Sequence, residues 1–264
     1  MEQLTENDPR STQDLIQASL NASDDETRWA PIRILHRRAS KEVLDAALAL
    51  CDDPGARERS LGADILAQLG LPERTHPESC AATIERMFQT ETDLIVLASL
   101  AGAAGHLEDP RLLPGLLRLG DNPDLEIRRD VTCSLSRFDD DRAIEALIKL
   151  SEDEDSEIRD WATFGLGSMT ERDTPAIREA LLRRLEDSDD DARGKALVGL
   201  ASRKDTRVVE PLKRELSGEA VGSLAIEAAE EISDPRLLPL LQELRSWWDV
   251  NPELLERAIV ACTG

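Results

Sequence analysis

The side chains in this 264-residue sequence that most often ligate metals or attack substrates are three histidines, His36, His76 and His106, and four cysteines, Cys51, Cys80, Cys133 and Cys262. Their spacing supports neither chemistry. No histidine belongs to H-E-x-x-H or to a His-Glu pair, and the cysteines are too far apart for a metal-ligand motif. No phosphate-cradling or nucleophile-elbow glycine pattern occurs. "GLGS" at 165–168 lies inside a helical pattern, so its glycines are expected to serve close packing rather than a phosphate loop. Carboxylates are abundant in "DDD" at 139–141, "EDED" at 152–155 and "DSDDD" at 187–191. These runs suit solvated turns and helix starts, or an acidic edge that meets a basic partner. The run from Asp187 lacks the loop glycine and distal bidentate glutamate of a calcium loop. No catalytic residue, metal or cofactor is expected, and the chain is not expected to be an enzyme.

The bulk properties narrow the partners. Hydrophobic residues make up 41% and charged residues 33% of the chain, enough apolar material to fold. Aromatics are only 3%, with no tyrosine, whereas Leu, Ala, Arg, Glu and Asp are helix-forming material. A formal net charge of −22 repels nucleic acid and anionic membranes and attracts basic surfaces. Scattered thiols, a polar acidic start and the absence of a long apolar run predict a cytoplasmic protein with no membrane association.

The organisation that must position any site is repetitive. "DNPDLEIRRDVTC" from Asp121 and "VNPELLERAIVAC" from Val250 say nearly the same thing. Anchored on the arginine of that stretch, equivalents fall at Arg28, Arg59, Arg128, Arg159, Arg193 and Arg257, with Leu97 and Gly222 in the two copies that lack it. After each anchor apolar residues recur at helical spacing, as in Val131, Leu135 and Phe138 or Ala162, Leu166 and Met169. Asp24, Asp93, Asp124, Asp155, Asp189 and Glu253 lie four residues before their anchors, where free amides favour a carboxylate. Between these helices runs a second set, including "DPRLLPGLLRL", "TRVVEPLKREL" and "DPRLLPLLQEL". Pro114, Pro211 and Pro239 are expected to end or bend its first turn. The fold class is all-α. A hairpin of this size cannot bury its own apolar face, so the copies are expected to stack as an α-solenoid of about eight hairpins spanning 1–264, with residues 1–11 flexible. Irregularity is expected where the anchor spacing is longest, between 59 and 97, and near Gly218–Gly222.

The pattern acid-x-acid-x-x-(Val/Ile)-Arg-x-x-Ala-x-x-x-Leu, clearest in "DEDSEIRDWATFGLG", resembles HEAT repeats, in the short variety of phycobilisome lyase subunits. The resemblance implies a superhelix whose arginines Arg28, Arg59, Arg128, Arg159, Arg193 and Arg257 form a structural ladder with acids. It also implies that the arginine-bearing helices line a concave face. On that face the positions pointing away from the core are Trp29, Arg33, Arg37, Asp64, His106, Arg129, Arg137, Asp160, Trp161, Phe164, Lys195 and Val198. Trp and Arg anchor interfaces more often than other residues. The expected function is therefore a non-enzymatic, monomeric binding module or scaffold that holds a basic protein, such as an immunity, antitoxin or adaptor protein. The alternative is a bilin lyase-like subunit whose Arg33, Arg37, Arg129 and Arg137 receive the propionates of a tetrapyrrole. Resemblance to the di-iron HEAT-repeat hydroxylases fails for want of His-Glu pairs. Resemblance to the DNA glycosylases is opposed by the net charge.

Overall fold

The structure, a computed structural model, describes residues 8–264. Among the described residues there are sixteen α-helices and no strand. They pair into eight hairpins, and the hairpins group into two compact units, residues 1–138 and 139–264. The first unit holds α1 (Thr12–Leu20), α2 (Asp25–Arg38), α3 (Lys41–Cys51), α4 (Ala56–Ala67), α5 (Pro77–Thr90), α6 (Leu94–Leu107), α7 (Leu113–Leu119) and α8 (Leu125–Leu135). The second holds α9 (Asp141–Leu150), α10 (Ser156–Phe164), α11 (Pro175–Arg184), α12 (Asp190–Ser202), α13 (Val209–Leu216), α14 (Ser223–Ile232), α15 (Leu238–Leu244) and α16 (Pro252–Ala261). The even-numbered helices carry the anchors.

Helix starts follow from the carboxylates. Asp24, Asp93, Asp124, Asp155 and Asp189 are N-caps of α2, α6, α8, α10 and α12, each accepting backbone N–H groups of the first turn. Each such cap contributes about 1 kcal/mol. The core between the layers is aliphatic: Leu100, Leu135, Leu166 and Leu200 are fully buried. Replacing one such leucine with alanine costs roughly 2–5 kcal/mol. Met169, expected on the apolar stripe with Ala162 and Leu166, is instead 45% exposed, because the helix widens into a π turn at Gly165–Met169 and rotates its end out of register.

The proline positions act as the sequence suggests. Pro114, Pro211 and Pro239 follow 3-10 turns at Pro110–Leu112, Thr206–Val208 and Pro235–Leu237. The tighter first turn removes the demand for a donor at the proline nitrogen. A device not foreseen accompanies these starts. In Asp109-Pro-Arg111, Asp205-Thr-Arg207 and Asp234-Pro-Arg236 the aspartate accepts the backbone N–H two residues on and, with both oxygens, the Nε–Nη2 edge of that residue's guanidinium. Asp8-Pro-Arg10 and Asp140-Asp-Arg142 repeat it.

The long step between 59 and 97 is an extra loop over residues 68–76. It contains a cis Leu71–Pro72 bond, with Arg74 and His76 at positive φ. Arg74 ties it down, donating to the carbonyl of Ala67 at 3.1 Å and to that of His106. Of the start expected to be flexible, residues 1–7 lie outside the described residues. Arg38 donates to the carbonyls of Asp8 and Arg10 at 3.1 and 2.9 Å, and Ser11 caps α1.

The last two anchors shift. Gly222 is the N-cap of α14, so Ile226, four residues on, holds the place taken by Arg128 in α8. Asn251, not Glu253, caps α16, accepting the N–H of Leu254 at 3.1 Å. In the matching stretch Asn122 instead turns onto the N–H of Asp124, and Asp124 caps. The two similar stretches thus start their helices two residues apart and bury different faces. Val131 is fully buried whereas its counterpart Val260 is 71% exposed.

Candidate functional site: the exposed side of the anchor helices

The ladder arginines do one local job and one tertiary job. Arg59, Arg128 and Arg159 each donate Nη1 to the two carbonyls six and five residues back, at 2.9–3.2 Å. Arg193 reaches the carbonyl six back, that of Asp187, at 2.8 Å. Each thereby closes the loop that leads into its own helix. The other guanidinium edge of Arg59 meets Glu91 at 2.7 and 3.1 Å, and that of Arg159 meets Asp187 at 2.8 and 2.9 Å. Glu91 and Asp187 open the loop of the following hairpin, so the pairs tie neighbours together. The forked bonds from Arg59 hold the Glu91 carboxyl down at about 2, and those from Arg159 do the same for Asp187. Arg28 and Arg257 depart from the pattern. Arg28 runs to Ser60 and Asp64 of the next hairpin, and Arg257 pairs with Glu230 at 2.8 Å on an exposed face.

The residues expected to face a partner separate by unit. In the first unit Trp29 is half-buried beside the Arg28 guanidinium, 5.5 Å from the ring centre. Arg33 and Arg37 are exposed on α2. Asp64 does not point away from the core. It is buried, held by Arg28, and its carbonyl accepts from His36 Nε2 at 2.9 Å. Burial raises the Asp64 carboxyl against the pull of Arg28. His106 is half-buried, with Nε2 at 3.1 Å from the Gln68 amide, and burial lowers its pKa. Arg129 is paired with Glu126 and lies 3.8 Å from Asp130, and Arg137 is 3.9 Å from Glu108.

In the second unit four of the expected residues do come together. Asp160, Trp161 and Phe164 lie on α10, and Lys195 comes across from α12. Trp161 and Phe164 meet edge to face, with ring centres 6.0 Å apart at 82°. Lys195 Nζ stands 5.6 Å from both ring centres and donates to Asp160 at 2.5 Å. Trp161 keeps 37% of its surface exposed, and Phe164 is half-buried. Burial raises the Asp160 carboxyl, with Lys195 opposing, and the second oxygen of Asp160 is buried with no partner. Val198, expected to face outward, is buried at 8% exposure because α12 is enclosed over most of its length.

What brings α10 and α12 close enough is a glycine contact. A Cβ at Gly199 would stand 2.6 Å from Gly167 Cα. The "GLGS" glycines are therefore packing residues. Arg203 secures the same junction, donating to the carbonyls of Leu166, Gly167, Thr170 and Arg172 at the frayed end of the π turn and to that of Gly199. Sequence reasoning missed Arg203, since a lone arginine after a helix has no local signature. A polar cleft of about 270 Å³ lies between α12 and α13, lined by Leu185, Asp187, Arg193, Leu197, Pro211 and Arg214, among others. Arg193 and Arg214 are already paired with Glu215 and Glu186.

The family model for HEAT repeats matches residues 80–167, from α5 through the π turn that follows α10. Protein YibA of Escherichia coli K12 is 26% identical over 238 residues, spanning 88% of this chain and 84% of that protein. Its X-ray structure superposes at a TM-score of 0.78 and 25% identity, covering 99% of this chain and 94% of that one. Residues 80–167 thus match HEAT repeats. An engineered protein with a TM-score of 0.58 and 18% identity, covering 95% of this chain and 77% of that one, shares the fold. The CpcE–CpcF phycocyanin lyase complex from Nostoc is similar at a TM-score of 0.49 and 19% identity, covering 100% and 98% of the two chains. Among the described residues, no helix is long and apolar enough to cross a membrane.

Proposed function

We propose that this HEAT-repeat chain is a non-enzymatic binding module that holds a basic protein partner on the exposed side of its anchor helices, centred on the α10–α12 cluster. The observation that carries this reading is the Trp161–Phe164–Lys195–Asp160 arrangement. An exposed tryptophan braced edge-on by a second ring, its neighbour lysine fixed by a carboxylate, is a pre-ordered platform that loses little side-chain entropy on binding. A net charge of −22 adds long-range attraction for a basic protein. An immunity or adaptor role fits the same chemistry.

Trp161→Ala tests the reading. Binding of the basic protein recovered from the native host should weaken at least tenfold, or by about 1.4 kcal/mol, while helicity and Tm stay near wild type. Unchanged capture by the variant would refute the platform, and unfolding of the variant would make Trp161 a core residue. Titration of the purified protein with a bilin supplies the contrast. A shift in pigment absorption that depends on Arg33 and Arg37 would replace the protein-binding reading with the tetrapyrrole one.

A further inference from the structure

The α10–α12 platform borders two carboxylates that nothing in the chain neutralises. Glu157 lies four residues before Trp161 on α10, and Asp191 lies four residues before Lys195 on α12. Residues at that spacing share a helix face. The two helices run in the same direction, since Lys195 meets Asp160 and, further along, Gly199 meets Gly167. Glu157 and Asp191 therefore stand one turn nearer the helix starts than Trp161 and Lys195, on helices whose axes are about 8–10 Å apart. Burial raises the Asp160 carboxyl, Lys195 opposes it, and Asp191 adds to the rise, in keeping with Asp191 standing close by.

Both carboxylates are exposed, and among the described residues neither side chain has a hydrogen bond or an ion pair. Asp155 and Asp189 fill the caps of the two helices, so neither Glu157 nor Asp191 is needed there. Lys195, placed at i+4 to serve Asp191, is turned to Asp160 instead, and the residue at i+4 from Glu157 is Trp161 itself. The neighbouring arginines are spent elsewhere, Arg159 on Asp187 and Arg193 on Asp190 and Glu215. With Lys195 and Asp160 cancelling, an exposed indole is left beside two uncompensated negative charges. We infer that the platform takes an arginine side chain of the partner, its guanidinium stacked on Trp161 and its N–H groups shared between Glu157 and Asp191. This rests on the binding-module reading above and names the group that fills the platform. A planar guanidinium combines a face that stacks on an indole with donors along its edges, whereas an ammonium is a compact, strongly hydrated point charge.

Labelled glycine–arginine and glycine–lysine peptides of equal length and charge are the probes, followed by fluorescence anisotropy against the full chain. The arginine peptide should bind wild type roughly three- to tenfold more tightly than the lysine peptide, a comparison that needs no variant to fold. Trp161→Ala and Glu157→Gln/Asp191→Asn should each remove that preference. Glu42→Gln/Glu145→Gln, which takes the same charge from exposed positions on α3 and α9, should keep it. Equal binding of the two peptides to wild type, a preference that survives either platform variant, or its loss in the α3/α9 control overturns the inference. So does a wild-type dimer in sedimentation that Trp161→Ala lacks, since the occupant is then a second copy. Failure here is distinct from failure of the binding-module reading. If Trp161→Ala loses the host protein while the two peptides bind wild type alike, the platform stands and the arginine falls. If capture of the host protein is untouched by Trp161→Ala, the platform itself falls.

Discussion

Arg59 and Arg159 show how a single side chain links local and tertiary structure. One guanidinium edge closes the loop before its own helix, and the other reaches a carboxylate that opens the next loop. Arg159 and Asp187 are largely buried, with side-chain exposures of 14% and 3%. Removing one partner of such a pair costs about 3–5 kcal/mol, because the other is left uncompensated. His36 offers a sharper test. Its Nε2 lies 2.9 Å from the Asp64 carbonyl, so a neutral ring protonated there serves the contact. Burial, with Arg33 and His106 nearby, lowers its pKa from 6.5 to about 4. The unfolded state then binds the extra proton between those values, so stability is complete above pH 6.5 and is lost as pH falls toward 4, by up to about 3 kcal/mol. His36→Gln keeps an amide donor and removes the titration. Urea unfolding across that range should show a flattened pH dependence in the variant, and an unchanged slope would assign the loss to other groups. Glu91 and Asp187 act lower, between their ordinary values of 4.5 and 3.8 and about 2.

At the scale of the element, the even-numbered helices pack on small residues, and glycine identity depends on which face it occupies. Gly199 meets Gly167 with no room for a methyl group, since an added Cβ would sit 2.6 Å from backbone. Gly102, on α6, has nothing within 4 Å of the same position. Gly199→Ala should therefore destabilise by about 1–3 kcal/mol through overpacking and splay α10 from α12. Gly102→Ala should stabilise by about 0.5–1 kcal/mol, because alanine is the better helix former. Thermal unfolding of the two variants checks both signs at once, and a shared sign would show that helix propensity outweighs the contact. Both glycines sit in similar small-residue runs in the sequence, and only the neighbouring helix separates them.

For the molecule as a whole, charge at long range opposes charge at short range. The net −22 acts across the entire surface, whereas the ion pairs act within about 3 Å. Salt at physiological strength and above screens beyond a Debye length of about 8 Å, which removes much of the repulsion and little of the closely bonded, part-buried pairs. Exposed pairs contribute only about 0–1 kcal/mol each, so their weakening is small. Adding sodium chloride at neutral pH should thus raise Tm, and the same titration should slow association with a basic partner. A fall in Tm would mean that exposed pairs carry more of the stability than the buried ladder.

The sequence by itself determined the helices, their starts and their stacking, because carboxylate caps, apolar spacing and proline positions act within a few residues of chain. It also placed Trp161, Phe164, Lys195 and Asp160 on one face, since repeats 31–35 residues apart carry equivalent positions to adjacent helices. Tertiary structure alone decided that these four meet while Arg129 and Arg137 pair with nearby acids, that Asp64 turns inward to Arg28, and that Arg203 gathers the carbonyls of a π turn. It also decided that two nearly identical stretches, from Asp121 and from Val250, begin their helices at different residues. Local pattern fixes which face is apolar. The shape of the neighbouring hairpin fixes how far that face is rotated and which polar groups find each other across it.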